Sequence, residues 1–213
     1  LVAGLPGAQA TSLHALVGLG RAAGPVAAPG VGDGVEVGGD FYDMFANDLR
    51  ELITQLKLED FALVGFSMGG GEIARYLGTY GSNGVSKAVI IGGVPPFLLK
   101  TDDNPAGVDA SVFEGIKKAV AADRYAFFTE FFKNFYNSDP LLGNRVSKDV
   151  MHASWNLAAS ASATASLACV STWIEDFRKD VARIDVPTLV IHGDEDRIVP
   201  LSAAGQRTAK LIK

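Results

Sequence analysis

Apolar and polar positions from residue 40 onward follow an order that predicts helices and short buried strands in turn. Residues 45–56 carry apolar side chains at three- and four-residue steps, with charged residues on the other face, which predicts an amphipathic helix. The apolar runs at 61–64 and 88–91 are typical of strands buried on both faces, and a helical stretch at 72–77 separates them. This order predicts an α/β fold with a doubly wound, mostly parallel sheet.

The second half of the chain predicts a block of helices followed by a return to the sheet. Residues 97–180 contain no convincing strand pattern. Helical runs are predicted in this block at 113–122, 125–136 and 146–175. Residues 185–192 then predict a strand with Pro187 at its entrance, where a missing N–H does least harm, and a helix begins at Ala203. The expected organisation is an α/β core at 40–96 and 181–213 with a helical cap insertion at 97–180.

Residues 1–39 differ in composition from the rest of the chain. They contain no aromatic residue, no Lys and no Ile, and they consist mostly of Gly, Ala, Val, Leu and Pro. This composition predicts either a poorly packed segment or residues of a different origin from the rest of the fold. Because the chain begins at Leu1 and stops at Lys213 while helical periodicity is still running, we expect a fold that is incomplete at both ends.

Composition and charge narrow the class of protein. With 48% hydrophobic and 20% charged residues, 213 residues can bury the core of one domain. A net charge of -5 without a basic patch argues against a nucleic-acid partner. Cys169 is the only cysteine, so no intramolecular disulfide can form, and a core position is expected for it. No apolar run approaches the ~20 residues of a membrane span, and no basic signal-peptide start is present, so we expect no membrane contact and a cytoplasmic location.

The clearest chemical motif is Gly65-Phe66-Ser67-Met68-Gly69, which fits the G-x-S-x-G nucleophile elbow. In that elbow a serine sits on a strained turn between a strand and a helix and projects its hydroxyl above the sheet. The bare pattern is weak evidence in a chain with 24 glycines, but here it follows a predicted strand and opens a predicted helix. Because the N–H groups at a helix start favour a developing oxyanion, Ser67 is the predicted nucleophile.

The second candidate motif is His192-Gly193-Asp194-Glu195-Asp196, which follows the last predicted strand. The carboxyl edge of a parallel sheet carries the active site in such folds. A hydrolase triad needs an acid after the serine in chain order, to hold an imidazole in the right tautomer and to stabilise its charged form. Asp196 is our candidate for this acid by its position in the loop, whereas Asp194 and Glu195 are expected to face solvent or to cap the loop.

The segment Gly65-Phe-Ser-Met-Gly-Gly-Gly-Glu-Ile-Ala-Arg-Tyr76 resembles the elbow of the cofactor-free bacterial haloperoxidases, a family of α/β-hydrolases that are also known as perhydrolases and aryl esterases. Residues 41–56 and 185–200 resemble the same family's helix before the elbow and its acid loop. The resemblance therefore covers residues 40–213 and implies an α/β-hydrolase fold with a helical cap.

The resemblance also implies roles for particular residues. Ser67 would be the nucleophile, the backbone N–H of Met68 would form one half of the oxyanion hole, and Asp196 would be the triad acid. The family's second oxyanion N–H comes from a His-Gly-x-Pro turn, for which Ala3-Gly4-Leu5-Pro6 is the nearest match, so Leu5 is the candidate donor. The implied chemistry is hydrolysis of a small-molecule ester or a related carboxylic acid substrate through an acyl-enzyme. A peracid forms when peroxide replaces water, and no metal, haem or other cofactor is implied.

The catalytic histidine of the family has no match in this sequence. The chain contains His14, His152 and His192, and none follows Asp196, where the family's histidine lies. His192 is expected to be a packing or loop residue, and His152 lies in the predicted cap. Because a serine without a general base is a poor nucleophile, we expect this chain to have little activity.

Three hypotheses about function stay open from the sequence. The leading one is a hydrolase of haloperoxidase or esterase type, and the closest alternative is a hydrolase of the same fold that acts on a lactone or a carbon–carbon bond. The third is a non-catalytic small-molecule binding module, which the missing histidine favours. Five phenylalanines of the predicted cap either line an aromatic pocket or, as is commoner at helical spacing, pack in the core. They are Phe127, Phe128, Phe131, Phe132 and Phe135. The sequence indicates no oligomeric state.

Overall fold

The structure is a computed structural model that describes residues 41–141 and 145–213. The elements of these residues, in chain order, are α1 (Phe41–Leu56), β1 (Phe61–Phe66), α2 (Met68–Tyr80), β2 (Val85–Ile91), α3 (Ala110–Phe135), α4 (Ser138–Leu141), α5 (Lys148–Ala159), α6 (Ala163–Thr172), α7 (Arg178–Val181), β3 (Thr188–Ile191) and α8 (Gly205–Leu211). The predictions for residues 1–39, including those for Leu5 and His14, lie outside the described residues. None of the described helices is both long enough and apolar enough to cross a bilayer.

The strands of the described residues form one parallel sheet in the order β1-β2-β3. The last residues of the three strands lie in one row. Phe66 is the register partner of Ile91, and Ile91 is the partner of Ile191. All three strands therefore end at the same level, at the edge of the sheet where parallel α/β folds bind ligands. The α/β fold with a parallel sheet is confirmed.

Helices α1 and α2 contribute to two clusters of buried side chains, and only the first of these lies against the sheet. The first cluster joins both helices to β1 and β2, and the side chains of Ile73 and Ala88 are completely buried in it. In the other, the Tyr42 ring of α1 meets the Phe177 ring edge to face, with 4.6 Å between the ring centroids. Gly71 of α2 lies beneath both rings, where an added Cβ would stand 2.7 Å from Tyr42 Cε1 and 2.8 Å from Phe177 Cζ. Only a residue without a side chain fits there.

The helical runs predicted at 113–122 and 125–136 are confirmed as the two halves of α3. This helix bends at Asp123, whose φ of -158° and ψ of 93° are not helical. The Asp123 carboxylate accepts hydrogen bonds from the N–H groups of Tyr125 and Ala126 at 3.0 and 3.1 Å, so it caps the second half.

The prediction of one continuous helix at 146–175 is wrong, because the structure has two helices there. Helix α5 ends at Ala159 and α6 begins at Ala163. The hydroxyl of Ser162 accepts a hydrogen bond from the N–H of Ala165 at 3.3 Å, and this N-cap starts a new helix in place of continuing the old one. The division into a core and a cap insertion stays a prediction.

Strand β3 is shorter than the strand predicted at 185–192. It begins at Thr188, because Pro187 has no N–H to donate to a neighbouring strand. The carbonyl of Pro187 still accepts a hydrogen bond from the N–H of Ala88 at 3.0 Å, so the chain joins the sheet at the position that the sequence indicated. The helix predicted from Ala203 likewise starts later, at Gly205.

We expect Gly71→Ala to lower the free energy of unfolding by about 2 kcal/mol, because the new methyl group must displace two packed aromatic rings. Gly115→Ala is the matched control, since nothing lies within 4 Å of a Cβ at that helical position. That control is expected to leave stability unchanged or to raise it by up to ~1 kcal/mol through helix propensity. Urea unfolding followed by circular dichroism measures both variants, and equal effects at the two positions would contradict the packing argument.

Candidate active site

Ser67 is the single residue between β1 and α2. Its φ of 53° and ψ of -117° lie in a region that residues with a side chain rarely adopt. Its N–H donates to the carbonyl of Ile91 at 2.9 Å, and its own carbonyl accepts from the N–H of Val94 at 3.3 Å. The strained strand-to-helix turn that the sequence predicts is therefore confirmed, and hydrogen bonds to the end of β2 hold it. The role of Ser67 as a nucleophile stays a prediction.

The glycines around Ser67 make this turn sterically possible. A Cβ on Gly65 would stand 2.3 Å from the carbonyl oxygen of Gly69 and 2.7 Å from the nitrogen of Gly70, and backbone atoms cannot give way. Gly70 packs on β2 and the residues after it with less crowding, since its Cβ would be 3.0 Å from Ile90 Cγ2 and 3.1 Å from the Cα of Gly93. The start of α2 therefore lies against two strands at once.

The start of α2 supplies hydrogen-bond donors beside Ser67. Met68 is the first residue of the helix, and the N–H groups of a first helical turn have no partners within the helix. They also lie at the positive end of the helix dipole, which favours a developing negative charge. The Ser67 hydroxyl makes no hydrogen bond with another described residue. Met68 is therefore placed where an oxyanion donor is needed, and its role stays a prediction.

The loop that follows β3, which we call the acid loop, contains three carboxylates that differ in their exposure to solvent. Asp194 and Glu195 are exposed, whereas the side chain of Asp196 is 23% exposed. Asp196 Oδ1 accepts hydrogen bonds from the N–H groups of Ile198 and Val199 at 2.9 and 2.8 Å. These bonds occupy one oxygen of the carboxylate and leave the other, Oδ2, for a further partner.

Gly92 lies between the two candidate catalytic residues. It follows β2, whose neighbours β1 and β3 lead to Ser67 and to the acid loop. A Cβ on Gly92 would be 3.6 Å from Asp196 Oδ2, and its φ of 51° is one that glycine adopts readily. The carboxylate of Asp196 therefore leans from the end of β3 toward the end of β2. The backbones of β1 and β3 run about 10 Å apart, as expected for two strand spacings.

Neither described histidine forms a hydrogen bond with Ser67. The His192 side chain is 2% exposed, and its Nε2 lies 2.7 Å from the carbonyl oxygen of Val199 and 3.5 Å from Asp196 Oδ2. Its Nδ1 is buried, has no hydrogen-bond partner among the described residues and faces Gly205, where a Cβ would approach it to 2.6 Å. His192 is therefore packed into the base of the acid loop. His152 is exposed and lines a groove between α3 and α5 with Thr129, Phe132, Met151 and Trp155.

The phenylalanines of α3 differ in their burial and in their ring contacts. Phe128 is buried in the core at 8% exposure. Phe131 stacks on Phe135 with 5.8 Å between the ring centroids, and Phe135 meets Phe66 edge to face at 6.2 Å. Because Phe66 immediately precedes Ser67, this row of rings reaches from α3 to the elbow. Helical spacing indicated the row, but not the ring on which it ends.

Sequence reasoning missed Asn137. Its side-chain amide donates a hydrogen bond to the carbonyl of Glu195 at 3.0 Å, across 58 positions of the chain. Nothing in the sequence around Asn137 indicates this contact. The described residues contain no cluster of three or more His, Cys, Asp or Glu side chains that could hold a metal ion. The expectation that no cofactor is used stays a prediction.

Comparisons with known proteins give a consistent result. Residues 17–213 match the family described as alpha/beta hydrolase fold. The chain is 60% identical over 172 residues to a Synechocystis sp. protein whose name assigns it provisionally to the non-heme chloroperoxidases, and the match covers 81% of this chain and 62% of that protein. It is 37% identical over 186 residues to the non-heme haloperoxidase of Rhodococcus erythropolis, covering 86% of this chain and 68% of the relative.

A third relative and one solved structure extend the comparison. The bifunctional esterase/perhydrolase of Acinetobacter calcoaceticus is 31% identical over 172 residues, which cover 80% of this chain and 62% of that enzyme. The crystal structure of the bromoperoxidase from Bacillus anthracis superposes with a TM-score of 0.75 at 44% identity, over 80% of this chain and 62% of that one. The chain thus spans 62% of the length of the Synechocystis protein.

We expect Ser67→Gly to be more stable than Ser67→Ala by about 1 kcal/mol, because glycine relieves the strain of a positive φ and alanine does not. Neither variant loses a side-chain hydrogen bond to another described residue, so the comparison isolates the backbone conformation. Thermal and urea unfolding measure the difference. Equal stability of the two variants would mean that the turn at Ser67 stores no strain.

Proposed function

The chain belongs to the alpha/beta hydrolase fold family and, within it, to the non-heme haloperoxidases, and we propose that it hydrolyses small carboxylic esters through an acyl-enzyme on Ser67. The observation that carries this proposal is the backbone of Ser67, with φ 53° and ψ -117°, directly before the first N–H of α2. Such a conformation raises a hydroxyl toward solvent beside free backbone donors. A serine with only a structural role has no need of it.

The proposed reaction takes place in two steps on Ser67. Its hydroxyl oxygen forms a bond to the ester carbonyl carbon, and the carbonyl oxygen becomes an oxyanion that the N–H of Met68 stabilises. The bond to the alcohol oxygen then breaks, and the proton from Ser67 passes through a general base to the leaving alcohol. Water attacks the acyl-enzyme in the second step, returns a proton to Ser67 and releases the carboxylic acid.

Asp196 is the proposed acid that orients and stabilises the general base. Its Oδ1 is already engaged by the N–H groups of Ile198 and Val199, so its Oδ2 is the oxygen available to an imidazole N–H. These two N–H donors hold Oδ1 in place, and an aspartate held in this way orients and stabilises an imidazolium. The side chain of Asp196 leans over Gly92, toward the strand that separates it from Ser67.

Perhydrolysis is the proposed side reaction. Hydrogen peroxide that attacks the acyl-enzyme in place of water releases a peracid. The peracid transfers its terminal oxygen atom and the proton on it to a halide ion, which forms a hypohalous acid and leaves the carboxylate. The names of the relatives support this chemistry, since the relative from Acinetobacter calcoaceticus is named as both an esterase and a perhydrolase. A cytoplasmic location is part of the same proposal.

A second candidate function is binding of a small molecule without chemistry. The observation that favours it is the position of the two described histidines. The Nε2 of His192 lies within hydrogen-bond distance of the carbonyl of Val199, and His152 lies exposed on the cap. The described residues thus place no imidazole between Ser67 and Asp196. A protein of this kind would retain ligands above Ser67 and would not turn them over.

Ester turnover that depends on Ser67 tests the first function against the second. In the full product of the gene, we expect Ser67→Ala to lower the rate of p-nitrophenyl acetate hydrolysis at least ~10⁴-fold and to abolish labelling by a fluorophosphonate. The 213-residue chain alone is expected to be much slower, because the described residues hold no base beside Ser67. Binding of phenyl acetate without hydrolysis or labelling in either protein would favour the binding module.

The role of Asp196 is tested by comparison with its neighbour Asp194. We expect Asp196→Asn to lower kcat by about 10³- to 10⁴-fold, because the amide still accepts the loop's two N–H groups but no longer stabilises an imidazolium. Asp194→Asn changes the same charge at an exposed position of the same loop and is expected to leave kcat within about twofold. Steady-state kinetics on the full product measure both, and similar losses would remove Asp196 from the proposed machinery.

A further inference from the structure

The C-terminal end of α3 and the turn that follows it touch the residues that immediately precede both candidate catalytic residues. The Phe135 ring meets the ring of Phe66, the residue before Ser67, edge to face at an interplanar angle of 86°. Two positions later, the amide of Asn137 donates its hydrogen bond to the carbonyl of Glu195, the residue before Asp196. One short segment therefore contacts both the elbow and the acid loop, which are far apart in the chain.

Asn137 has a backbone conformation suited to this contact. Its φ of 45° is left-handed, which is uncommon for a residue other than glycine, although asparagine tolerates it better than most. Its N–H donates to the carbonyl of Asn134 at 3.1 Å and closes the end of the helix. The side chain then leaves the helix axis and reaches the acid loop, where its Oδ1 is also buried.

A second link between the cap and the acid loop is weaker. Arg197 Nη1 lies 2.8 Å from Asp139 Oδ2, but the two side chains are 41% and 68% exposed. The Arg197 guanidinium lowers the pKa of Asp139, yet solvent screens an exposed pair of this kind. The hydrogen bond from Asn137 goes to a backbone carbonyl instead, so it fixes the chain of the acid loop and not only a long side chain.

We propose that Asn137 is a positioning residue that fixes the acid loop so that the Asp196 carboxylate keeps its orientation. The carbonyl of Glu195 belongs to the peptide unit that leads directly into Asp196, so holding this carbonyl restricts the rotation of that peptide. The orientation of Asp196 then allows Oδ1 to accept from Ile198 and Val199 while Oδ2 points over Gly92. The catalytic consequence rests on the proposed function, whereas the effect on the loop does not.

The test uses Asn137→Gly, because glycine keeps the left-handed backbone and removes only the amide. Asn134→Ala is the matched control, since Asn134 lies three residues earlier, in the last turn of α3, and its amide donates to the carbonyl of Glu130. In Asn137→Gly we expect hydrogen exchange at the amides of Ile198 and Val199 to be about five- to tenfold faster than in the parent. Exchange in β1 and β2 is expected to be unchanged, and the control is expected to match the parent throughout.

Kinetics on the full product of the gene give the second measurement. We expect Asn137→Gly to lower kcat about tenfold and to change KM less than twofold, because a misplaced acid weakens the transition state and not substrate binding. Unchanged exchange at Ile198 and Val199, or equal acceleration in all strands, overturns the positioning role. If the parent shows no Ser67-dependent turnover, the proposed function fails, and the exchange measurement still decides the role of Asn137.

Discussion

Close backbone contact between the start of α2 and the ends of β1 and β2 is the constraint on which the rest of the structure depends. Gly65 has no room for a Cβ because the carbonyl oxygen of Gly69 would lie 2.3 Å from it, and Gly70 lies directly against Gly93. This packing forces the chain to turn within the single residue Ser67. The same contact thus places the serine at the edge of the sheet and holds it in a strained conformation, which the surrounding structure must support.

The register of the sheet brings the candidate catalytic residues to the same edge. Because Phe66, Ile91 and Ile191 are paired in one row, the residues that follow the three strands emerge at the same level. Gly92 in the middle leaves space above β2, and the carboxylate of Asp196 extends into that space from the side of β3. The local electrostatics fit this arrangement. The start of α2 favours a negative charge beside Ser67, and the side chain of Asp196 favours a positive charge on the other side of β2.

The end of α3 and the turn after it add contacts to both sides of the candidate site. Phe135, the last residue of the helix, packs on the elbow side, and Asn137, in the turn that follows, binds the acid-loop side. The bend of α3 at Asp123 divides this helix into two halves, and the second half leads into both contacts. A segment that is far from β3 in the sequence therefore helps to hold the loop that follows β3 in place.

The sequence by itself determined the elements that depend on local chemistry. The periodicity of α1, the apolar run of β1 and the glycines around Ser67 predict a strand, a turn and a helix, because hydrophobic spacing and glycine content act within a few residues. The same local logic distinguished Asp196 from Asp194 by position in the loop. It failed at 146–175, where the capping serine Ser162 starts a second helix in an otherwise uninterrupted helical pattern.

Only the tertiary structure decided which distant groups meet. The contact of Asn137 with Glu195 spans 58 positions, and the burial of His192 against Gly205 depends on how α8 packs on β3. No spacing rule in the chain encodes either contact, because each one arises from the packing of whole elements. The sequence therefore predicted which residues could do chemistry, because residue type and local spacing are written in the chain, and the packing of the folded chain decided how Asp196 is oriented and where His192 is buried.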